Sequence, residues 1–218
     1  MVAGGSGRRF GSAKQFESIG ARRVLDVSRE TADVCSDGVV VVVPEADAER
    51  EGGVAGGATR SESVRNGLAA VPAEADFVLV HDAARPLATP AVYERVIAAL
   101  EAGADAVIPA VAVTDTIKVL GPASDAERDA GVLGTVETTP DRASLVAVQT
   151  PQGFRADALR AAHASGADAT DDAALVEAAG GRVVVVDGDA VNRKITDPDD
   201  LEWARRVLGE RAHTEAAS

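Results

Sequence analysis

Close to its start the chain reads Ala3-Gly4-Gly5-Ser6-Gly7-Arg8-Arg9-Phe10-Gly11, with Lys14-Gln15 a few residues on. Glycines let backbone amides close around phosphate oxygens, and two guanidiniums plus an ammonium on one loop supply the opposing charge. The segment therefore reads as a nucleotide-triphosphate loop. It lacks the Gly-Lys-Ser/Thr of a P-loop, and Phe10 stands where a dinucleotide loop needs its third small residue. Taken alone, the glycines also suit a flexible charged tail. A second candidate is Phe77-Val78-Leu79-Val80-His81-Asp82-Ala83-Ala84-Arg85-Pro86, an apolar run that ends directly in an acid and an arginine. An aspartate in that place can hold a divalent metal bridging phosphates, while Arg85 clamps an anionic substrate. Taken alone, the pair also suits a turn cap beside a surface arginine.

The formal charge is −13, from 22 Lys and Arg against 35 Asp and Glu, which argues against nucleic acid as a partner because phosphate backbones demand a basic footprint. Only three of the cations are lysines, Lys14, Lys118 and Lys194. An ammonium and a guanidinium are not interchangeable, so these three mark candidate places for a compact point charge. Cys35 is alone, which excludes an intramolecular disulfide or a Cys-based metal cluster and suits a reducing compartment. His81, His163 and His213 are too scattered for a zinc site. No apolar run approaches the ~20 residues that cross a bilayer, and the start lacks the apolar stretch of a signal peptide, so a soluble cytoplasmic protein is expected. The composition, 46% apolar and 26% charged, is that of an ordinary globular chain, expected as one domain over residues 1–218.

The elements that must position these residues alternate along the chain. Continuous apolar runs at 39–43, 77–80, 106–109 and 183–186 read as strands buried on both sides. Amphipathic segments at 61–71, 171–179 and 199–208 read as helices, and Thr89-Pro90 opens another through Ala102. That order predicts an open, mostly parallel α/β sheet with helices on both faces. Residues 111–144 depart from it. Two short β-like pieces, 115–120 and 131–136, flank a polar stretch, 121–129, and read as an antiparallel arm. In such a sheet ligands bind beyond the carboxyl ends of the strands, which is where both candidate motifs fall. Tyr93 and Trp203 have core spacing, His81 is expected to pack near Asp82, Asp171 and Asp172 suit the opening of a helix, and Lys118 reads as a strand-surface charge.

The motifs taken in order resemble the 2-C-methyl-D-erythritol 4-phosphate cytidylyltransferases. The resemblance is carried by Gly5-x-Gly7-x-Arg9 with Lys14-Gln15, by Gly56-Gly57-x-x-Arg60-x-x-Ser63-Val64-x-x-Gly67-Leu68, and by His81-Asp82-Ala83-Ala84-Arg85-Pro86. It continues through Asp115-Thr116-Ile117-Lys118, Asp141-Arg142, Gln149-Thr150-Pro151-Gln152, Thr170-Asp171-Asp172-Ala173 and Lys194-Ile195-Thr196. It implies a Rossmann-like fold and a reaction of CTP with methylerythritol phosphate, with Mg2+, in isoprenoid precursor synthesis. Ala3, Gly4, Gly5, Gly7 and Ser63 would line the nucleotide pocket, with Gly57 beside the base. Arg9, Lys14 and Lys194 would take the catalytic role of stabilising charge on the α-phosphate. Asp82, Arg85, Thr170 and Lys194 would hold the sugar phosphate, with Asp82 also facing the nucleotide and the metal. Thr116 and Arg142, on the arm, would complete the site of a partner subunit, so a homodimer with shared sites is implied.

Two departures from the family pattern stand out. Only Met1 and Val2 precede Ala3 where members usually carry a full apolar strand, so that strand is expected to be very short unless the chain starts upstream. Ala13 also replaces the proline commonly found before the lysine. Rival readings are a ribitol 5-phosphate or related sugar-phosphate cytidylyltransferase, and a non-catalytic nucleotide-binding protein. An NAD-dependent dehydrogenase is disfavoured by the glycine pattern.

Overall fold

Strands without polar alternation need cover on both faces, and the neighbouring segments supply it. The computed structural model describes residues 1–4 and 13–216, apart from the side chains of 212 and 214–216. Gly5, Gly7 and Arg9 therefore lie outside the described residues. The strands are β1 (Ser18–Ile19), β2 (Arg22–Arg23), β3 (Val42–Val43), β4 (Val54–Ala55), β5 (Phe77–Val80), β6 (Ala106–Ala112), β7 (Val119–Leu120), β8 (Val136–Thr138), β9 (Val146–Val148), β10 (Gln152–Arg155) and β11 (Val183–Asp187). The helices are α1 (Val24–Val34), α2 (Glu45–Glu51), α3 (Arg60–Ala69), α4 (Pro90–Glu101), α5 (Asp125–Asp129), α6 (Ala156–His163), α7 (Asp172–Ala178) and α8 (Pro198–Ala216). None is long and apolar enough to cross a membrane.

The main sheet runs β11-β6-β10-β5. Its β11 is parallel to β6, whereas β10 is antiparallel to both neighbours, which leaves β5 and β6 parallel to each other. A second pair, β3 and β4, is also parallel. Residues 1–3 join the two: Val2 bridges in parallel to Val42 and to Asp82. The Val2 N–H donates to the His81 carbonyl at 2.8 Å, the Ala3 N–H to the Val42 carbonyl at 2.7 Å, and the Ala83 N–H to the Val2 carbonyl at 3.0 Å. Residues 1–3 thus lie between β3 and the end of β5, and Gly4 follows at the same edge.

Side chains alternate across β6 with the period of a strand. Ala106 and Ile108 pack with Phe154, Leu159 and Val176 beneath α6 and α7. Val107 points the other way, against Val96 and Leu100 of α4. Beside it Gly153 lets α4 lie close, since a Cβ there would fall 2.4 Å from Val96 Cγ1. Mixed α/β architecture with a mostly parallel sheet is thus as read from the sequence. Several details differ. The strand over 39–43 pairs only as β3, and α3 spans Arg60–Ala69 where 61–71 was expected. The antiparallel β9 and β10, the short strands β1, β2 and β4, and the helices α1, α2 and α6 are additional to the expected elements. In the arm, β7 and β8 pair antiparallel, but the second piece begins at Val136, because positive φ at Gly131 and Gly134 turns the chain before it. The polar stretch between them holds α5, opened by a capping box of Ser124 and Glu127.

Candidate functional site

Where β5 ends, His81 turns into the core and Asp82 stands at the carboxyl edge of the sheet. His81 is 3% exposed, its ring centroid is 5.8 Å from that of Tyr93, and its Nδ1 is 2.9 Å from Thr150 Oγ1. Burial pushes its pKa down to about 4, so the ring is neutral at pH 7 and packs, as expected. Thr150 Oγ1 also accepts the Asp82 N–H at 3.0 Å, which fixes the backbone under the carboxylate.

Three cations converge on this edge. Lys194 Nζ donates to Asp82 Oδ2 at 2.7 Å, and the next residue is stitched back to the β5 loop by Ile195 N–H to the Ala84 carbonyl at 2.8 Å. Lys14 Nζ reaches the same strip of chain, donating to the Ile195 carbonyl at 2.7 Å. Arg85 is largely withdrawn: it donates to the carbonyls of Asn192 at 2.8 Å and Val148 at 3.2 Å, and burial lowers its pKa. Its Nε remains buried without a hydrogen-bond partner among the described residues. Burial alone would raise the Asp82 pKa. The charge and hydrogen bond of Lys194, then Arg60 and Arg85, outweigh it and hold the carboxyl below its ordinary value, so Asp82 is an anion at neutral pH.

Alongside lies the loop between β4 and α3. The Gly57 N–H donates to Ser63 Oγ at 3.0 Å, and that hydroxyl donates in turn to the Thr59 carbonyl at 2.9 Å. No side chain fits at Gly57, because a Cβ would sit 2.2 Å from Glu62 Cγ. Gly4 follows the first strand and faces the same serine, with Ser63 Oγ 3.7 Å from where its Cβ would be. The expected nucleotide residues Ala3, Gly4, Gly57 and Ser63 are therefore neighbours. Thr170 is exposed in the turn before α7. That turn is pinned to α3 by Thr59 Oγ1 donating to Asp168 Oδ1 at 2.8 Å and by Ala169 N–H to Ser61 Oγ at 3.2 Å.

A sequence profile for the 2-C-methyl-D-erythritol 4-phosphate cytidylyltransferases, the IspD proteins, matches residues 1–210. The chain belongs to this family. The cytidylyltransferase of that name from Nocardia farcinica is 45% identical over 97% of this chain and 94% of its own length, and the one from Rhodococcus jostii is 45% identical over 98% and 95%. Among solved structures, the cytidylyltransferase of Thermus thermophilus superposes with a TM-score of 0.78 at 33% identity, covering 94% of this chain and 96% of that one. The 4-diphosphocytidyl-2C-methyl-D-erythritol synthase of Anaerococcus prevotii gives 0.79 at 29% identity, covering 95% of each.

In this family member the two arm residues do not join the Asp82 cluster within the subunit's own contacts. Thr116 is exposed, and Arg142 donates to the Thr114 carbonyl at 2.9 Å. Arg142 lines an open cleft of about 470 Å³ at the root of the arm, together with Val146 of β9 and Val185 of β11, and none of Asp82, Arg85 and Lys194 borders it. Lys118 donates across the arm to Thr139 Oγ1 at 2.7 Å, a surface contact as expected. Among the described residues no group of three or more His, Cys, Asp or Glu is placed to hold a metal. Asp82, a carboxylate at the sheet edge, would fit Mg2+ bound mainly by phosphate oxygens and water.

Residues given no site role by the sequence also border this cluster. Arg60 and Asp172 form a 2.8 Å ion pair, and Asn192 Nδ2 donates to the Thr150 carbonyl at 2.8 Å. A signal for Arg60 existed: a cation in the first turn of a helix opposes the dipole and needs a carboxylate nearby. Asp172 gave none, because an acid in a first turn is ordinary.

Lys194 depends on the segment behind it. Asp200 Oδ2 accepts Thr196 Oγ1 at 2.6 Å and the Thr196 N–H at 2.9 Å, and Arg193 sits 3.0 Å from Oδ1. Burial raises the Asp200 pKa, but the Thr196 bonds and Arg193 prevail and hold it below its ordinary 3.8. A depressed carboxyl contributes stability that is complete above the unfolded pKa and is lost as pH falls through the folded one. Asp200→Asn should accordingly lower Tm by a constant interval from pH 8 to about 4, and the interval should close at lower pH. Equal Tm values at pH 7 would disprove this.

Proposed function

We propose that the Asp82, Lys194 and Arg85 cluster receives the sugar-alcohol phosphate, that the loops carrying Ala3, Gly4, Gly57 and Ser63 receive CTP, and that Lys14 stands between them. Membership of the family carries the activity: CTP and 2-C-methyl-D-erythritol 4-phosphate give 4-diphosphocytidyl-2-C-methyl-D-erythritol and pyrophosphate, a step of non-mevalonate isoprenoid synthesis. The observation that best supports this assignment of residues is the convergence of Lys14 and Lys194 on one strip of chain beside an ionised Asp82.

In this reading a phosphate oxygen of the acceptor attacks the α-phosphorus of CTP and pyrophosphate departs in line. Such a step needs positioning and charge stabilisation and no protein nucleophile. Lys14, with Arg9 and Lys194, offsets the charge that accumulates on the five-coordinate α-phosphate. Asp82 orients the acceptor and directs Lys194, and Thr170 closes the acceptor side. Mg2+, bound by the triphosphate oxygens with Asp82 facing it, would supply charge neutralisation on those oxygens.

The arm, residues 111–144, is the dimerisation element of this reading. Its apolar side chains lie open, with Leu133 86% and Val136 52% exposed, beyond what an isolated surface strand requires. Thr116 and Arg142 then enter the partner's site across the interface. The protein works in the cytoplasm, without nucleic acid or membrane.

Pyrophosphate release from CTP with Mg2+ tests the function directly. Release is expected with methylerythritol phosphate and not with ribitol 5-phosphate. Release with the ribitol ester alone would move the acceptor specificity to the sister reaction, and silence with both despite CTP binding would leave a nucleotide-binding protein.

A further inference from the structure

Arg60 begins α3, where the helix dipole disfavours a cation, and two carboxylates hold it there. Its Nη1 lies 2.8 Å from Asp172 Oδ2, and its Nε lies 4.0 Å from Asp82 Oδ1. The two carboxylates differ in their surroundings. Asp172 is wholly buried, and its other oxygen faces His163 Nε2 at 3.0 Å, so its charge must be paired where it stands. Asp82 is 13% exposed. Lys194 engages its Oδ2, whereas Oδ1, with Arg60 beyond hydrogen-bond reach, makes no hydrogen bond to the described residues.

We propose that Asp172 is a positioning residue: it keeps the Arg60 guanidinium off Asp82, and so leaves one carboxylate oxygen of Asp82 open to a hydroxyl of the acceptor alcohol phosphate. The proposal rests on the reading of Asp82 as an acceptor-binding residue. Without the charge on Asp172, the guanidinium has one anion left in reach. A small swing brings it onto Asp82 Oδ1, where a charge-assisted bond forms and the oxygen is lost to the substrate. The backbone has no cause to follow, because the Thr59–Asp168 and Ser61–Ala169 bonds pin α3 to the α7 turn independently. The consequence is therefore local to the acceptor.

Steady-state kinetics and calorimetry on the full-length protein with Asp172→Asn, Arg60→Gln and the double variant test this. Asp172→Asn keeps the hydrogen bond to His163 and loses only the charge. It should raise KM for methylerythritol phosphate by about tenfold, the low end for loss of an orienting outer partner, and weaken calorimetric binding of that compound alike, with KM for CTP and kcat little changed. The double variant has no guanidinium to close Asp82, so its KM should return most of the way to the wild-type value. An unchanged KM in Asp172→Asn, or a double variant as impaired as the single one, would overturn the assignment. A purely structural ion pair would show instead as lowered Tm with no split between the two substrates. Should Asp172→Asn fail to fold, the double variant decides alone, since it leaves no buried charge unpaired: a tenfold higher KM there refutes the proposal. Absence of turnover by the wild-type chain would count against the function reading, whereas turnover with an unaffected Asp172→Asn counts against this inference only.

Discussion

Lys14→Ala is expected to lower kcat by about 10²–10³-fold, the range for removal of one donor aimed at charge that develops in the transition state. The ammonium of Lys14 is anchored on the Ile195 carbonyl, one residue from Lys194, so it is pre-set beside the second lysine rather than drawn in by substrate. A compact charge on a flexible stem suits a phosphate oxygen whose position shifts as the phosphorus becomes five-coordinate, and a planar guanidinium does not reproduce it. Lys14→Arg should therefore restore only part of the rate. Because the side chain is not part of the core, Tm should fall little in either variant. Single-turnover kinetics at saturating CTP are the appropriate measurement, and a near-normal rate in Lys14→Ala would remove this residue from charge stabilisation.

The second large effect concerns shared sites. In the proposed homodimer, Arg142→Ala and Lys194→Ala subunits should each be almost inactive, and an equilibrated equimolar mixture should recover about a quarter of wild-type activity, because half of such dimers would be hybrids with one intact site each. The two residues lie on different parts of the subunit: Lys194 pairs with Asp82 at the sheet edge, while Arg142 belongs to the root of the arm, where its bond is to Thr114. Differently tagged subunits must be shown to exchange by co-purification. Exchange without recovery would exclude complementation across the interface.

Much of this arrangement is legible in residue order, for a physical reason. A strand buried on both faces has to be apolar throughout, so Phe77-Val78-Leu79-Val80 declares itself, and the first polar residues after it, His81 and Asp82, mark the sheet edge. The strand β10 is different. Its Gln152-Gly153-Phe154-Arg155 has a single large apolar side chain, since Gly153 makes room for α4 and Gln152 turns to Asp171, with Nε2 3.1 Å from its Oδ2; neither role leaves a pattern in one strand. The start of helix α5 is legible in the sequence, because Ser124 and Glu127 have capping-box spacing. In the site, Asp82 and Lys194 could be found from residue type, whereas the Arg60–Asp172 pair joins residues 112 positions apart in sequence and only the fold reveals it.

The antiparallel β10 also constrains how the chain is assembled. As residues emerge in order, β5 and β6 are complete well before β9 and β10 exist, yet β10 has to pair with both of them and β9 continues that pairing along β6. The arm must be made first, so the sheet closes from inside, late, around a strand arriving from the far side of an excursion. Such non-local closure is slow, and a chain halted before residue 152 leaves open the β5 edge that β10 covers and the β6 edge that β11 covers, the form in which strands pair with neighbours instead. The nascent arm thus separates the halves of a sheet that cannot be sealed until it has been traversed.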